Sequence, residues 1–446
     1  TPAPTRRQSR KTGPRECCGP WADNSLTDSV SHPKTLRKTA AESNIPKIYG
    51  TRCEGIRLMS KTVLILGAGV GGLTTADTLR QLLPPEDRII LVDRSFDGTL
   101  GLSLLWVLRG WRRPDDVRVR PTAASLPGVE MVTATVAHID IAAQVVHTDN
   151  SVIGYDALVI ALGAALNTDA VPGLSDALDA DVAGQFYTLD GAAELRAKVE
   201  ALEHGRIAVA IAGVPFKCPA APFEAAFLIA AQLGDRYATG TVQIDTFTPD
   251  PLPMPVAGPE VGEALVSMLK DHGVGFHPRK ALARVDEAAR TMHFGDGTSE
   301  PFDLLAVVPP HVPSAAARSA GLSESGWIPV DPRTLSTSAD NVWAIGDATV
   351  LTLPNGKPLP KAAVFAEAQA AVVAHGVARH LGYDVAERHF TGTGACYVET
   401  GDHQAAKGDG DFFAPSAPSV TLYPPSREFH EEKVAQELAW LTRWKT

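Results

Sequence analysis

Thiols are the most nucleophilic side chains that this sequence offers, and two of its five cysteines, Cys218 and Cys396, lie in the part that patterns as a folded protein. Cys218 follows a strand pattern and precedes a proline and a helical run. We therefore expect it at a helix N-terminus, where the dipole and the adjacent Lys217 lower the pKa of a thiol. Cys396 lies in a glycine-rich turn far along the chain, so any pairing of the two would be tertiary. The alternative is two buried cysteines that only fill space.

A glycine-rich turn indicates a second kind of chemistry, the binding of phosphates. An apolar strand runs directly into residues 67–72, GAGVGG, so a helix must begin inside the glycines. Gly67 permits the tight turn, Gly69 lets a pyrophosphate approach bare backbone, and Gly72 lets the helix pack closely on the strand. The next strand ends in Asp93, whose carboxylate would accept hydrogen bonds from ribose hydroxyls. The pattern predicts a dinucleotide site, with a purely structural glycine turn as the alternative.

A second α/β unit follows, and its glycine turn is broken. Its first strand ends at Gly213, where a second dinucleotide turn is expected. The residues that follow include Pro215, Pro219 and Pro222, which remove the N–H donors and the flexibility that a pyrophosphate requires. We therefore expect this unit to keep a Rossmann-like shape without binding NAD(P).

Composition limits the classes of function. The chain is 44% hydrophobic and 21% charged, which is typical of a soluble globular protein, and no apolar run is long enough to cross a membrane. Its net charge is −10 although residues 1–58 are basic, so the remainder is acidic and nucleic acid is not expected as a partner. Cys17, Cys18 and Cys53 fall in the basic segment. Two cysteines in the body are too few for a four-cysteine zinc site or a disulfide scaffold, which predicts no metal site and a cytoplasmic location.

Three stretches together resemble the flavoproteins that have two dinucleotide-binding domains. They are GAGVGG with Asp93, AIGDA at 344–348 and LPKAAVFAEAQA at 359–370. The stretch VPFKCPAAPFEAA at 214–226 narrows the resemblance to sulfide:quinone oxidoreductases and the flavoprotein subunit of flavocytochrome c sulfide dehydrogenase. This resemblance extends over residues 59–446.

The resemblance implies that FAD is the cofactor and that Cys218 and Cys396 are the redox-active pair beside the flavin. Asp347 would accept a hydrogen bond from a ribityl hydroxyl. Lys361, together with the N-terminus of the helix predicted to begin at Pro360, would stabilise negative charge on a reduced flavin. The residues expected to hold FAD are Gly67, Gly69, Gly72, Asp93, Gly346 and Asp347.

Two departures from the family's pattern matter. Many sulfide:quinone oxidoreductases carry a third cysteine before the second domain, and none lies between Asp93 and Lys217. The cysteine through which the flavocytochrome subunit attaches FAD is also missing. We therefore expect noncovalent FAD, and the growth of polysulfide on three sulfurs lacks its third site.

The fold class that follows is α/β, with two Rossmann-like dinucleotide-binding domains and a small C-terminal region. Residues 1–58 lack an apolar core pattern and are expected to be a disordered or non-native extension, with a transit peptide as the alternative. The FAD-binding domain is expected to be discontinuous. The predicted boundaries are 59–174 for its first part, 175–310 for the domain that has lost NAD, 311–385 for its second part and 386–446 for the C-terminal region.

We interpret the chain as an FAD-dependent oxidoreductase that oxidises sulfide or a related sulfur species and passes electrons to a quinone. One alternative is the cytochrome-linked subunit, disfavoured because no export signal precedes Met59. Another is an NAD(P)H:acceptor flavin reductase, disfavoured by the broken second turn. A flavin-bound sensor without turnover is the third.

The sequence closes with a predicted amphipathic helix at residues 428–446. Trp440 and Trp444 lie among basic residues there, which suits a membrane interface where a quinone could be met. Packing of this helix on the protein body or on a second subunit is the alternative. We therefore expect a cytoplasmic protein for which this helix is a candidate peripheral contact to the inner membrane.

Overall fold

Two five-stranded parallel sheets carry the fold of residues 60–445, which are the residues that the computed structural model describes. The first sheet has the spatial order Val342–Ala344, Ala157–Ile160, Thr62–Leu66, Arg88–Asp93 and Glu130–Thr133. The second has the order Ala183–Gln185, Leu304–Val308, Gly205–Ile211, Val242–Phe247 and Gly275–His277. The prediction of an α/β fold with two Rossmann-like units is confirmed, and the first unit is indeed discontinuous in sequence.

The predicted extension, residues 1–58, lies outside the described residues together with its three cysteines. By their contacts the described residues hold together as one compact unit. The boundaries drawn between the domains therefore stay predictions.

Smaller elements surround the two sheets. Three three-stranded antiparallel sheets comprise Val136–Asp140, Val145–Thr148 and Val152–Gly154; Leu282–Asp286, Thr291–Phe294 and Ser299–Pro301; and Thr393–Gly401, Gln404–Asp411 and Ser419–Ser426. Three two-stranded ribbons pair Gly98–Thr99 with Arg118–Val119, Ala164–Leu166 with His311–Pro313, and Ile328–Pro329 with Thr349–Val350. The last of the antiparallel sheets, 393–426, is called the C-terminal sheet below.

The α-helices cover the faces of the sheets. They are Val70–Leu82, Gly101–Arg109, Pro114–Val117, Leu174–Asp179, Leu189–Ala201, Ala221–Leu233, Asp235–Ala238, Pro259–Asp271, Ala315–Ser319, Ala363–His380 and Arg427–Trp444. We call Ala221–Leu233 the cysteine helix and Arg427–Trp444 the C-terminal helix. The central strand Thr62–Leu66 is completely buried from Val63 onward and therefore reads as a continuous apolar run. The helices Val70–Leu82 and Ala363–His380 pack on one of its faces, and the antiparallel sheet 136–154 with the helix Ala315–Ser319 covers the other.

Two predicted placements are wrong. Cys396 lies inside the strand Thr393–Gly401, not in a turn, and Gly394 is needed there because a Cβ atom would come within 2.8 Å of the Phe365 ring. The helix expected to begin at Pro360 begins at Ala363, so Lys361 precedes it. Lys361 is held extended instead, because its backbone pairs with that of Lys217.

The C-terminal helix forms as predicted, but its tryptophans do not face outward. Trp440 is 8% exposed and Trp444 is fully buried, and both pack into the core beside the first sheet. The structure therefore has the alternative arrangement, a helix packed on the protein body. No helix among residues 60–445 has an apolar run of the length that a membrane span requires. Contact with a membrane stays a prediction that these two tryptophans do not support.

Candidate active site

The first glycine turn exposes backbone at the start of a helix. Gly67 has φ +97° and donates its N–H to Val92 O at 2.8 Å. A Cβ atom on Gly72 would lie 1.8 Å from Gly67 O, so the helix rests directly on the turn. A Cβ atom on Gly69, by contrast, would meet nothing within 4 Å. The arrangement leaves room for a phosphate group against bare amides, as a bound dinucleotide needs.

Asp93 ties this turn to the end of the neighbouring strand. Its Oδ2 accepts the N–H of Ala68 at 2.8 Å, and its Oδ1 accepts those of Ser95 and Phe96 at 3.0 Å. Among the described residues Oδ2 accepts only the bond from Ala68 and has a second lone pair, so the group can still accept a bond from a ribose hydroxyl. Asp93 therefore fits the predicted role and also shapes the loop.

Asp347 lies in a one-turn 3₁₀ helix, Gly346–Ala348, directly after the edge strand of the first sheet. Gly346 donates its N–H to Gln369 Oε1 at 2.8 Å, which fixes the turn. Burial raises the pKa of the Asp347 carboxyl, while the charges of Lys217 and Lys361 oppose the shift. Within residues 60–445 no hydrogen bond reaches this carboxylate, so its oxygens are available to a hydroxyl of a bound ligand.

Lys361 is a rigidly held cation. Its Nζ donates to Asp347 O at 2.8 Å and to Thr349 O at 2.9 Å, and it lies 3.7 Å from the centroid of the Trp327 ring. Desolvation lowers the pKa of this ammonium to about 8, although Asp347 partly restores it. The ammonium group is therefore held beside the turn that carries Asp347.

The structure brings Cys218 and Cys396 together from different segments. Both are free thiols that remain partly accessible, and a charge on Cys396 raises the pKa of Cys218. Burial is the main cause that raises the pKa of Cys218 to about 12 and that of Cys396 to about 11, and Glu224 adds to both shifts. Lys433 acts in the opposite direction on both thiols.

The prediction of a lowered pKa at Cys218 is therefore wrong for the dithiol. The cysteine helix begins only at Ala221, and the favourable effect of the Ala221 N–H is smaller than the effects of burial and Glu224. The adjacent Lys217 is coupled to Asp347 instead. The sequence neighbours of Cys218 identified the segment that carries it, but they did not predict which charged groups set the pKa of its thiol.

The backbone at Cys218 is in an unusual conformation. Its φ is +53°, a left-handed value that costs a non-glycine residue about 1–3 kcal/mol. Two hydrogen bonds hold it: the Cys218 N–H donates to Lys361 O at 2.7 Å, and the Cys218 carbonyl accepts the Ala221 N–H at 2.9 Å. The loop that carries this cysteine is thus anchored on both sides.

Sequence reasoning missed a buried polar network beside the cysteines. Glu224, on the first turn of the cysteine helix, forms a buried ion pair with Lys433 of the C-terminal helix. Lys433 also lies 3.8 Å from Glu399 of the C-terminal sheet. One signal was available, because Glu224 is the only charged residue in the otherwise apolar helix APFEAAFLIAAQL. A lone acid there requires a buried partner.

The second glycine turn has lost its phosphate-binding form. Three prolines lie at 215, 219 and 222, and the last of them is within the first turn of the cysteine helix. A Cβ atom on Gly213 would lie 3.0 Å from Pro310, so the loop packs closely against the segment that follows the strand Leu304–Val308. Cys218 occupies the segment where free amides would otherwise face a pyrophosphate.

Comparisons with known proteins agree with this fold. The profile of the pyridine nucleotide-disulphide oxidoreductase family matches residues 61–372. The mitochondrial sulfide:quinone oxidoreductase of Mus musculus is 24% identical over 365 residues, which are 79% of this chain and 78% of the relative. The type II NADH:quinone oxidoreductase of Staphylococcus aureus is 26% identical over 345 residues, 72% of this chain and 83% of the relative. The X-ray structure of the sulfide:quinone oxidoreductase of Aquifex aeolicus has the same fold, with a TM-score of 0.75 and 21% identity over 86% of this chain and 92% of that one.

Proposed function

Since the chain belongs to the pyridine nucleotide-disulphide oxidoreductase family and is an FAD-dependent oxidoreductase, we propose that it oxidises sulfide or a related sulfur species and passes the electrons to a quinone. The observation that carries the proposal is that Cys218 and Cys396, from segments far apart in sequence, come close enough to each other and to Glu224 and Lys433 for charge on one group to act on another. Sulfur-oxidising relatives at 24% identity support the choice of substrate.

FAD is held noncovalently in this proposal. Gly67 and Gly69 would receive the phosphates, Gly72 permits the close helix, Asp93 would accept the ribose hydroxyls, and Gly346 with Asp347 would hold the ribityl chain. FAD would supply a two-electron acceptor to the cysteine pair. Lys361, fixed by two carbonyls and the Trp327 ring, would offer a positive charge to a reduced flavin.

The cysteine pair acts as a disulfide in the oxidising step. Hydrogen sulfide gives up one proton, its sulfur forms a bond to one Sγ, which becomes a persulfide, and the bond between the two cysteine sulfurs breaks. The electron pair of the broken bond stays on the other Sγ as a thiolate. We assign that thiolate to Cys396 and the persulfide to Cys218.

A quinone is the proposed acceptor, and a cytochrome is the alternative. Reduction by NADH, as the name of the Staphylococcus aureus relative implies for that protein, is disfavoured here by the three prolines in the second turn. A sensor without turnover is disfavoured because a buried acid, a buried amine and two thiols at one point are costly to retain without chemistry.

Anaerobic titration of the purified protein with sulfide tests the proposal. We expect stoichiometric sulfide to bleach the absorption of the oxidised flavin, and a soluble quinone to restore it faster than cytochrome c does. Acid precipitation should release the FAD into the supernatant. A flavin that sulfide leaves oxidised would contradict the proposal, and rapid bleaching by NADH instead would favour the pyridine-nucleotide alternative.

A further inference from the structure

A line of titratable side chains leads to the surface from Glu224, whose charge acts on both cysteines. Glu224, Lys433, Glu399 and His430 are 2%, 3%, 0% and 9% exposed, and His403 is exposed at the outer end. These five residues, which we call the outlet, come from the cysteine helix, the C-terminal helix and the C-terminal sheet. Nothing in the electron transfer proposed above uses them beyond Glu224 and Lys433.

The spacing within the outlet permits proton exchange between successive members. Lys433 Nζ contacts Glu224 Oε1 and lies 3.8 Å from Glu399 Oε1. His430 Nδ1 is 3.0 Å from Glu399 Oε1, and His430 Nε2 is 3.2 Å from His403 Nδ1. At the inner end Glu224 and Lys433 are the charged groups that act on both cysteine sulfurs.

We propose that the outlet carries a proton from the cysteine pair to solvent at His403. This is the proton that hydrogen sulfide releases when it attacks the cysteine disulfide. The inference rests on the proposed function and adds to it the route by which the site discharges its protons.

The charges of the cluster leave one carboxylate without a cation of its own. Arg112 Nε pairs with Glu437 Oε2 at 2.7 Å, and Lys433 pairs with Glu224. Glu399 shares Lys433, 3.8 Å away, with Glu224. Its direct hydrogen-bond partners are the indole N–H of Trp106 at 3.1 Å and the imidazole of His430. A buried carboxylate in that position retains a proton or shares one with its neighbour.

The pKa directions fit a transferable proton. Burial raises the pKa of Glu224 to about 7, with Lys433 as the main opposing influence, and burial also raises that of Glu399. The pKa values of His430 and His403 are lowered by desolvation. The groups therefore approach one another in proton affinity.

The charged surroundings of His430 come from every element packed on it. Arg112 follows the helix Gly101–Arg109, Glu399 and His403 belong to the C-terminal sheet and its turn, and Lys433, Arg427 and Glu431 are on the helix of His430 itself.

The proposed step balances. Hydrogen sulfide loses a proton to the Glu224 carboxylate, its sulfur bonds to Cys218 Sγ, and the Cys218–Cys396 bond breaks with its electron pair left on Cys396 Sγ. The proton then passes by way of Lys433, Glu399 and His430 to His403 and to water. Glu224 is returned to its carboxylate form for the next sulfide.

The test is single-turnover reduction of the FAD-loaded enzyme by sulfide in weakly buffered solution, with flavin absorption and a pH-indicator dye followed together. We expect His430→Gln, which keeps an N–H donor toward Glu399, to slow flavin reduction about tenfold or more and to delay proton release to the same extent. His403→Gln should give a smaller loss, because water can replace an exposed group. Added imidazole should restore both variants.

His204→Gln is the matched control. His204 is exposed directly before the strand Gly205–Ile211 and outside the outlet, so this variant should behave as the wild type. Normal rates in both outlet variants would overturn the outlet and leave the proposed function intact. A slow His430→Gln enzyme that imidazole fails to rescue would likewise overturn it, because the residue would then be structural. Should that variant fail to bind FAD, the imidazole response of His403→Gln decides. A wild-type flavin that sulfide does not reduce would instead overturn the proposed function itself.

Discussion

Burial decides what Cys218 and Cys396 can do as individual residues. With pKa values of about 12 and about 11 in the dithiol, both keep their protons at neutral pH and are poor nucleophiles. A disulfide needs no thiolate in order to be attacked. The site therefore suits an oxidised pair that receives a nucleophile better than a resting thiolate that delivers one.

The single substitutions Cys218→Ser and Cys396→Ser should each abolish flavin reduction by sulfide while FAD stays bound, because the expected FAD contacts lie on other segments. Mass spectrometry of the wild type without reductant should show the two cysteines linked directly or through extra sulfur. Full sulfide-dependent reduction in both variants would leave the cysteines without a catalytic role. Absorption spectra and stopped-flow traces provide the measurement.

The two variants should also differ in colour at high pH. Cys218→Ser keeps Cys396, which we assign as the sulfur near the flavin, and its thiolate can donate charge to the flavin. Because the pKa of Cys396 is raised to about 11, the thiol is protonated below that pH and ionises above it. A long-wavelength absorption should therefore grow as the pH of the Cys218→Ser protein rises toward 11. Its appearance in Cys396→Ser alone would reverse the assignment.

Asp347→Ala should weaken FAD binding. The carboxylate is buried and has no hydrogen-bond donor among residues 60–445, so loss of a charged contact to a ribityl hydroxyl should cost about 1.5–3 kcal/mol, or roughly 10- to 150-fold in Kd. Reconstitution of the apoprotein with FAD, followed by fluorescence quenching, measures this. Asp340→Ala, at an exposed position shortly before the same strand, is the matched control and should bind FAD normally.

At the scale of elements, the loop between the strand Gly205–Ile211 and the cysteine helix, which carries Cys218 and is called the cysteine loop, replaces a nucleotide site. NADH and NADPH should reduce the flavin slowly or not at all, because Pro215, Pro219 and Pro222 supply no N–H groups to a pyrophosphate. Stopped-flow mixing with stoichiometric NADH checks this. Bleaching as fast as that by sulfide would contradict our account of the second turn.

The C-terminal helix is held by its buried ion pair as well as by its tryptophans. Lys433→Met should destabilise the protein by about 3–5 kcal/mol, because it leaves Glu224 buried without its cation. Adding Glu224→Gln to that variant should recover much of the loss, since a neutral amide needs no counter-ion. Denaturant unfolding of the two variants measures both effects. Equal stability of the single and double variants would mean that Glu224 is already neutral.

The sequence predicted the glycine turn, the paired sheets and the closing helix because each depends on local patterns of glycine and apolar residues. It misplaced Cys396, because Gly394 allows the Phe365 ring to approach a strand and does not mark a turn. It also placed Lys361 in a helix, since a bridge to the distant Lys217 cannot be read from neighbouring residues. The ion pair of Glu224 with Lys433 was missed for the same reason, because its two residues are far apart in sequence.

At the scale of the whole molecule, the reactive centre is built where several separate parts of the chain converge. The second sheet supplies the cysteine loop, the segment before the helix Ala363–His380 supplies Lys361, and the C-terminal sheet supplies Cys396. The C-terminal helix closes the group by placing Lys433 against Glu224. Removal of that helix should therefore affect the sulfur chemistry as well as stability.

The backbone bridge between Lys217 and Lys361, together with the bond from the Cys218 N–H to Lys361 O at 2.7 Å, fixes the cysteine loop relative to Lys361. Any hinge motion between the two Rossmann-like units would therefore carry Cys218 along with Lys361 or break these main-chain bonds. Because the Cys218 carbonyl also accepts the N–H of Ala221 in the cysteine helix, such a motion would strain the loop on both sides. Since the connection to Lys361 is made by main-chain atoms, the side chains at positions 217 and 361 can change without breaking it.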